Sequence, residues 1–290
     1  MGPPGTETTP TRPHLGCNYS PQLVGLLETG RVDVEWIKLS RWEVLARELE
    51  IARPLRPVLL HVLSRTGLPS LRDLPWGWEE MNRATEACGS PHAALHLAAR
   101  TSDWPRTPTR DEVLQRLLAH AREFAHNLDA PLLLENVDYS PHDTLLCSPT
   151  DPEVISEVCE RTGAGLLLDL AHARIAAYHR GEDVLDYLGA MPLDRVREIH
   201  VCGPALEQGK GLQDSHLEMQ PEDYALLEWT LERTSPLVVS LEYGGTGPLF
   251  EWRSDPVALE RQLLRLRELC SSRDDRNAKV PSDPLAPPGG

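Results

Sequence analysis

Residues 165–203 read GLLLDLAHARIAAYHRGEDVLDYLGAMPLDRVREIHVCG. An apolar run of strand length ends on Asp169, a stretch of helical character follows, and a second apolar run at 196–201 carries His200. Short uninterrupted apolar runs suit strands buried on both faces, and strand, helix, strand is the repeating unit of parallel-sheet folds. Outward from this segment the same alternation recurs. Strands are predicted at 14–19, 34–39, 58–62, 93–97, 132–135, 165–169, 196–201 and 238–242.

The segments between them read as helices on their own terms. In 109–127 the apolar Val113, Leu114, Leu117, Leu118, Ala121, Phe124 and Ala125 recur at i, i+3 and i+4, and Thr109 with Glu112 makes a capping box. Ser148, Thr150 or Asp151 can cap a helix over 152–161 that Gly163 stops, and Ser254 or Asp255 before Pro256 opens a last helix running to about Cys270. Eight strands alternating with helices fit an α/β protein of the (β/α)8 TIM-barrel type, whose usual length is about 250 residues. A doubly wound sheet satisfies the alternation nearly as well, so the choice rests on where the polar residues fall.

They fall at the C-terminal ends of the strands, where a barrel builds its active site. His61, His96, Glu135, Asp169, His200 and Glu242 stand at the ends of six consecutive strands, the third to the eighth. Two further pairs follow strand ends. Asp169 with His172 (i, i+3) and Asp214 with His216 (i, i+2) have spacings that set both side chains on one side of a helical turn or an extended segment. The nine candidates are five imidazoles and four carboxylates, all metal-ligand types. A tetrahedral zinc needs three or four, so the surplus points to two or three ions sharing a bridging carboxylate. Thiolates are absent from the set, and mixed oxygen and nitrogen ligation suits iron, manganese or zinc.

Taken singly, each histidine is more often a surface or hydrogen-bonded residue, and each carboxylate a helix cap or half of an ion pair. Four carboxylates buried at one mouth, however, repel one another without cations. Asn136, next to Glu135, can orient a substrate or cap its loop, and His179 can stand behind the ligands. His14, His92, His120, His126 and His142 read as bystanders, and Trp76, Trp78 and Trp104 as covers over the barrel.

The 290 residues carry 44 acidic against 29 basic side chains, a formal charge of -15 that disfavours nucleic acid as a partner. No run of 18 apolar residues occurs, so no membrane span is expected. The opening MGPPGTETTPTRP lacks the basic and apolar regions of a secretory signal, and six cysteines contain no CxxC pair, which together imply a cytoplasmic chain with unbridged thiols. Pro, Gly, Ser and charge dominate 1–12 and 272–290, expected as disordered tails flanking a single catalytic domain at 13–271.

In order and character, the nine positions resemble the trinuclear site of the endonuclease IV-like, xylose isomerase-like TIM-barrel superfamily. Within it, LLLENVDYS (132–140), the stretch 165–203, LQDSHLEM (212–219) and VVSLEYGG (238–245) are most similar to the multinuclear non-haem iron-dependent oxidative enzymes, formerly DUF692. The resemblance covers about 14–268 and is specific from Leu132 to Glu242. It implies that His61, His96 and Glu135 hold one metal; that Glu135, Asp169, His200 and Glu242 hold a second, with Glu135 bridging; and that His172, Asp214 and His216 hold a third. It further implies two or three irons, mixed-valent Fe2+/Fe3+, that use dioxygen to oxidise a residue of a ribosomally made peptide, commonly a cysteine and sometimes an acidic residue. Glu135, Asp169, His172 and His200 would carry the chemistry. The peptide would be delivered by a separate partner protein. The sequence departs from the family at four places: His172 stands where many members have Asn, Asn136-Val137 where they have Asn-Pro, His61-Val62 where they have His-Gly, and Lys38 where an acidic residue is expected.

Two other functions compete. A zinc-dependent, endonuclease IV-like phosphodiesterase needs basic or intercalating loops, which the charge of -15 speaks against. A sugar isomerase or epimerase working on one Zn2+ or Mn2+ with Glu135 and Glu242 as acid and base leaves most of the histidines without a role.

Overall fold

The computed structural model describes residues 12–40, 42–74, 76–245 and 254–277. Eight parallel strands close into a barrel: β1 (His14–Asn18), β2 (Trp36–Leu39), β3 (Val58–Arg65), β4 (Ala93–His96), β5 (Leu132–Glu135), β6 (Gly165–Asp169), β7 (Val196–Val201) and, after the antiparallel hairpin of β8 (Gly203–Glu207) and β9 (Gly211–Leu217), β10 (Val238–Leu241). β1 pairs with both β2 and β10, which closes the ring and excludes the doubly wound alternative. The helices are α1 (Pro21–Glu28), α2 (Leu45–Ala52), α3 (Trp78–Cys88), α4 (Arg110–Asn127), α5 (Pro152–Thr162), α6 (Leu170–Arg180), α7 (Val184–Gly189), α8 (Pro221–Leu231) and α9 (Pro256–Asn277).

Strand periodicity separates two apolar layers. Leu132, Leu134, Leu166 and Leu168 belong to the main core beneath the helices, whereas Ala94, Leu133 and Leu167 form a separate buried cluster in the lumen. Two residues beyond each of these last three stand His96, Glu135 and Asp169, so the period of two turns them to the same lumen, at its C-terminal mouth.

The helix ends follow the chain's local chemistry. Thr109 and Glu112 form the capping box of α4, Asp151 accepts from Glu153 N at 3.1 Å to start α5, and Gly163 ends α5 at φ 76°, a conformation that favours glycine. α9 runs on to Asn277, so the segment expected as a tail from 272 begins as helix; 1–11 and 278–290 lie outside the described residues. Trp78 opens α3 and meets Phe124 edge-to-face at 5.1 Å, and Trp104 lies under the Arg116 guanidinium. No described helix is long and apolar enough to cross a membrane, and all six cysteines are free.

Candidate metal centre

All nine candidate side chains meet at the mouth, with Glu135 as the hub. Its Oε2 lies 2.5 Å from His61 Nε2 and 3.4 Å from His96 Nε2, and its Oε1 lies 3.5 Å from His200 Nδ1 and 3.6 Å from His172 Nδ1. His200 Nδ1 also faces Glu242 Oε1 at 3.3 Å and Asp169 Oδ2 at 4.0 Å. His172 reaches Asp169 and Asp214, both at 3.8 Å, and His216 Nε2 closes the circuit between Asp214 at 3.0 Å and Glu242 at 3.7 Å. Among the described residues, two trios bring one donor atom each within 4.8 Å of one another: His61, His96 and Glu135, and Glu135, Asp169 and His200. Glu135 belongs to both. His172, Asp214 and His216 form a more open chain.

Backbone and neighbours aim these groups. Asp169 caps α6 by accepting from His172 N through Oδ1 at 2.8 Å, which leaves Oδ2 turned into the lumen. Asn136 ties the ends of β5 and β6 together: its Nδ2 donates to Asp169 O at 2.9 Å and its Oδ1 accepts from Asp169 N at 2.8 Å. The Asn136 carbonyl also accepts from His172 Nδ1 at 2.9 Å, so His172 presents Nε2 toward Asp214. Asn136 is thus a brace between strand ends. Asp214 and His216 sit on β9, a strand outside the eight expected from the apolar runs. His179 does not join the cluster; its Nε2 donates to Leu212 O at 2.8 Å and pins the hairpin to α6. His216 has φ 46°, the one non-glycine residue in the left-handed region among the described residues, and such strain persists where surrounding structure enforces it.

The electrostatics show a cluster short of positive charge. Burial drives the Glu135 carboxyl upward, yet His96, His61 and His200 around it hold it well below its ordinary value. Burial, with Glu135 and Asp214 nearby, raises Asp169, whereas His216 and His172 outweigh burial and hold Asp214 well down. Burial lowers His61 to about 4, so its imidazole is neutral at pH 7 and its lone pair is available. Asp169 Oδ2 and His200 Nδ1, both buried and facing each other, have no hydrogen-bond partner. Orphaned donor-set atoms on buried carboxylate and imidazole groups are what a cation satisfies, so the residues fit a metal of the oxygen- and nitrogen-binding kind.

Three contributors were not read as such from sequence. Lys38, on β2 and 4% exposed, forms an ion pair with Glu242 and lies 3.5 Å from His200 Nε2. Glu198, inside β7, and His92, just before β4, are both buried and hydrogen-bonded to each other at 2.6 Å. The signal for Glu198 was its i, i+2 relation to His200, which puts both on the lumenal face.

Barrel and mouth together define a (β/α)8 TIM barrel with a candidate metal centre. The chain belongs to the RiPP precursor modification enzyme MbnB/TglH/ChrH family, whose model matches residues 78–258, more than half of its length. A UPF0276 protein of Bordetella pertussis is 37% identical over 146 residues, 48% of this chain and 49% of its own, so the chain spans about half the length of such curated relatives. By structure, an L-ribulose 3-epimerase matches with a TM-score of 0.62 at 18% identity, covering 95% of this chain and 100% of that one. A xylose isomerase-like TIM barrel/4-hydroxyphenylpyruvate dioxygenase fusion protein matches at 0.56 and 11% identity, covering 94% and 45%. At these identities the structural likeness concerns the fold alone.

Proposed function

We propose that this chain is a multinuclear non-haem iron-dependent oxidase that uses dioxygen to modify a cysteine or acidic residue of a ribosomally synthesised precursor peptide. The carrying observation is the convergence of five imidazoles and four carboxylates on one mouth with Glu135 shared between two compact trios, and the family supports a peptide substrate. His61, His96 and Glu135 would hold one ion. Glu135, Asp169, His200 and Glu242 would hold a second, and His172, Asp214 and His216 a third. Bound iron supplies one-electron redox chemistry and Lewis acidity.

The chain's own residues supply the rest. Asp169 and His200, both fully buried, form the floor, while His96, with 30% of its side chain exposed, and Asp214, with 23%, form the open rim where a peptide side chain can enter. Glu135 offers a different oxygen to each trio, which couples the two positions. Residues 13–271 would make up the catalytic domain, working in the cytoplasm with a separate protein that presents the peptide. Coexpression with a short Cys-rich or acidic-tailed peptide encoded beside this gene tests the reading. A mass change on that peptide that requires dioxygen is expected; an unmodified peptide beside an iron-loaded chain contradicts it.

A further inference from the structure

The residues two positions before the strand-terminal candidates are Leu59, Ala94, Leu133, Leu167, Glu198 and Ser240. By strand period they form the layer directly beneath the mouth, and three of them, Ala94, Leu133 and Leu167, are a buried apolar cluster. Glu198 is the one carboxylate in that layer, 2% exposed. A buried carboxylate persists only where its oxygens are occupied. Both are: Oε1 lies 3.0 Å from His200 Nε2, and Oε2 lies 2.6 Å from His92 Nε2.

His200 Nε2 faces two groups, this carboxylate and, at 3.5 Å, the Lys38 ammonium. A carboxylate can only accept, so the nearer partner sets Nε2 as the proton-bearing nitrogen and leaves Nδ1 with its lone pair. Nδ1 is the atom that faces Glu135, Asp169 and Glu242 and has no hydrogen-bond partner. His92, 4% exposed, reaches across the lumen from the foot of β4, where it borders a cavity of about 290 Å3 on the N-terminal face.

We propose that His92 and Glu198 form a positioning relay that fixes the tautomer and orientation of His200, so that its Nδ1 is offered to the metal position shared by Glu135, Asp169 and Glu242. Metal-bound histidines commonly give their other N–H to a carboxylate, and removing that partner weakens metal binding roughly 10- to 100-fold. The inference rests on the metal-site reading above and would make His92, on sequence alone a bystander, part of the site's support.

The test is anaerobic Fe2+ binding against a competing chelator, counting irons retained per chain, with the melting temperature of the metal-free protein measured alongside. Glu198→Gln, which keeps size and shape, and His92→Leu are each expected to weaken one iron equivalent roughly 10- to 100-fold and to spare the others. His92→Gln, whose amide can still donate to Glu198, is expected to recover most of the affinity. Wild-type iron affinity in Glu198→Gln, whether or not the metal-free melting temperature moves, would overturn the relay, as would equal weakening of every iron. If His92→Leu does not fold, Glu198→Gln alone decides. A wild-type chain that binds no iron at all would instead overturn the metal-site reading, and the relay with it.

Discussion

Glu135 touches four imidazoles, and its two oxygens serve different trios. Glu135→Ala should therefore lose more than one metal equivalent, whereas substitution of His96, which contacts Glu135 from one side, should lose at most one. Metal content by elemental analysis checks both, and full occupancy in Glu135→Ala would refute bridging. Asn136 is a different kind of residue: fully buried, it makes two reciprocal bonds between strand ends and carries the His172 tautomer on its carbonyl. Asn136→Ala leaves Asp169 N and O without those partners, and each unsatisfied buried group costs about 1–3 kcal/mol. A stability loss of that order in denaturant melts is expected. At this scale six of the nine candidates, His61, His96, Glu135, Asp169, His200 and Glu242, were legible because each follows an apolar run of strand length, whereas His172, Asp214 and His216 were legible only by their spacing. Glu198 was not, because it lies inside a strand and its role shows only once the barrel sets His92 opposite it.

Among the elements, the eight barrel strands were legible from apolar runs alone, since both faces of each are buried. The β8–β9 hairpin was not. Its sequence, GPALEQGKGLQDSHL at 203–217, has little apolar alternation, and the pairing is held by backbone hydrogen bonds around Gly209 and Gly211, both at φ 80°. β3 likewise runs three residues past its expected end, to Arg65, whose guanidinium grips Asp103 in the loop after β4. This clasp joins the loops that follow the His61 and His96 strands. Burial raises the Asp103 carboxyl, but Arg65 and the Arg100 backbone N–H outweigh it and hold it below its ordinary value. A carboxylate depressed in the folded state contributes stability above its unfolded pKa of about 3.9, and that contribution disappears as pH falls through the lower folded value. Asp103→Asn should thus cost about 1.5–3 kcal/mol at pH 7 and progressively less below about pH 4, as read from urea melts across pH. An effect independent of pH would show that the ion pair is not its source.

For the molecule as a whole, the formal charge of -15 takes on a local meaning, because four of its acidic groups, Glu135, Asp169, Asp214 and Glu242, share one mouth with a single lysine, Lys38. Without cations this mouth is held together by histidine and lysine charge at the expense of burial, as the raised His172 and Asp169 show. Metal loading should stabilise the native chain by about 2.7 kcal/mol per independent site at a hundredfold excess over Kd, since the unfolded chain presents no such cluster. A rise of several degrees in melting temperature on loading, reversed by chelator, is expected. An unchanged melting temperature would mean that the cluster holds no ion.

The most direct test of the iron-centre proposal is elemental analysis with Mössbauer and EPR spectroscopy on protein purified without oxygen. Two to three irons per chain with a mixed-valent signal is the expected result. Stoichiometric zinc with no iron would contradict it and return the chain to hydrolytic chemistry on the same barrel.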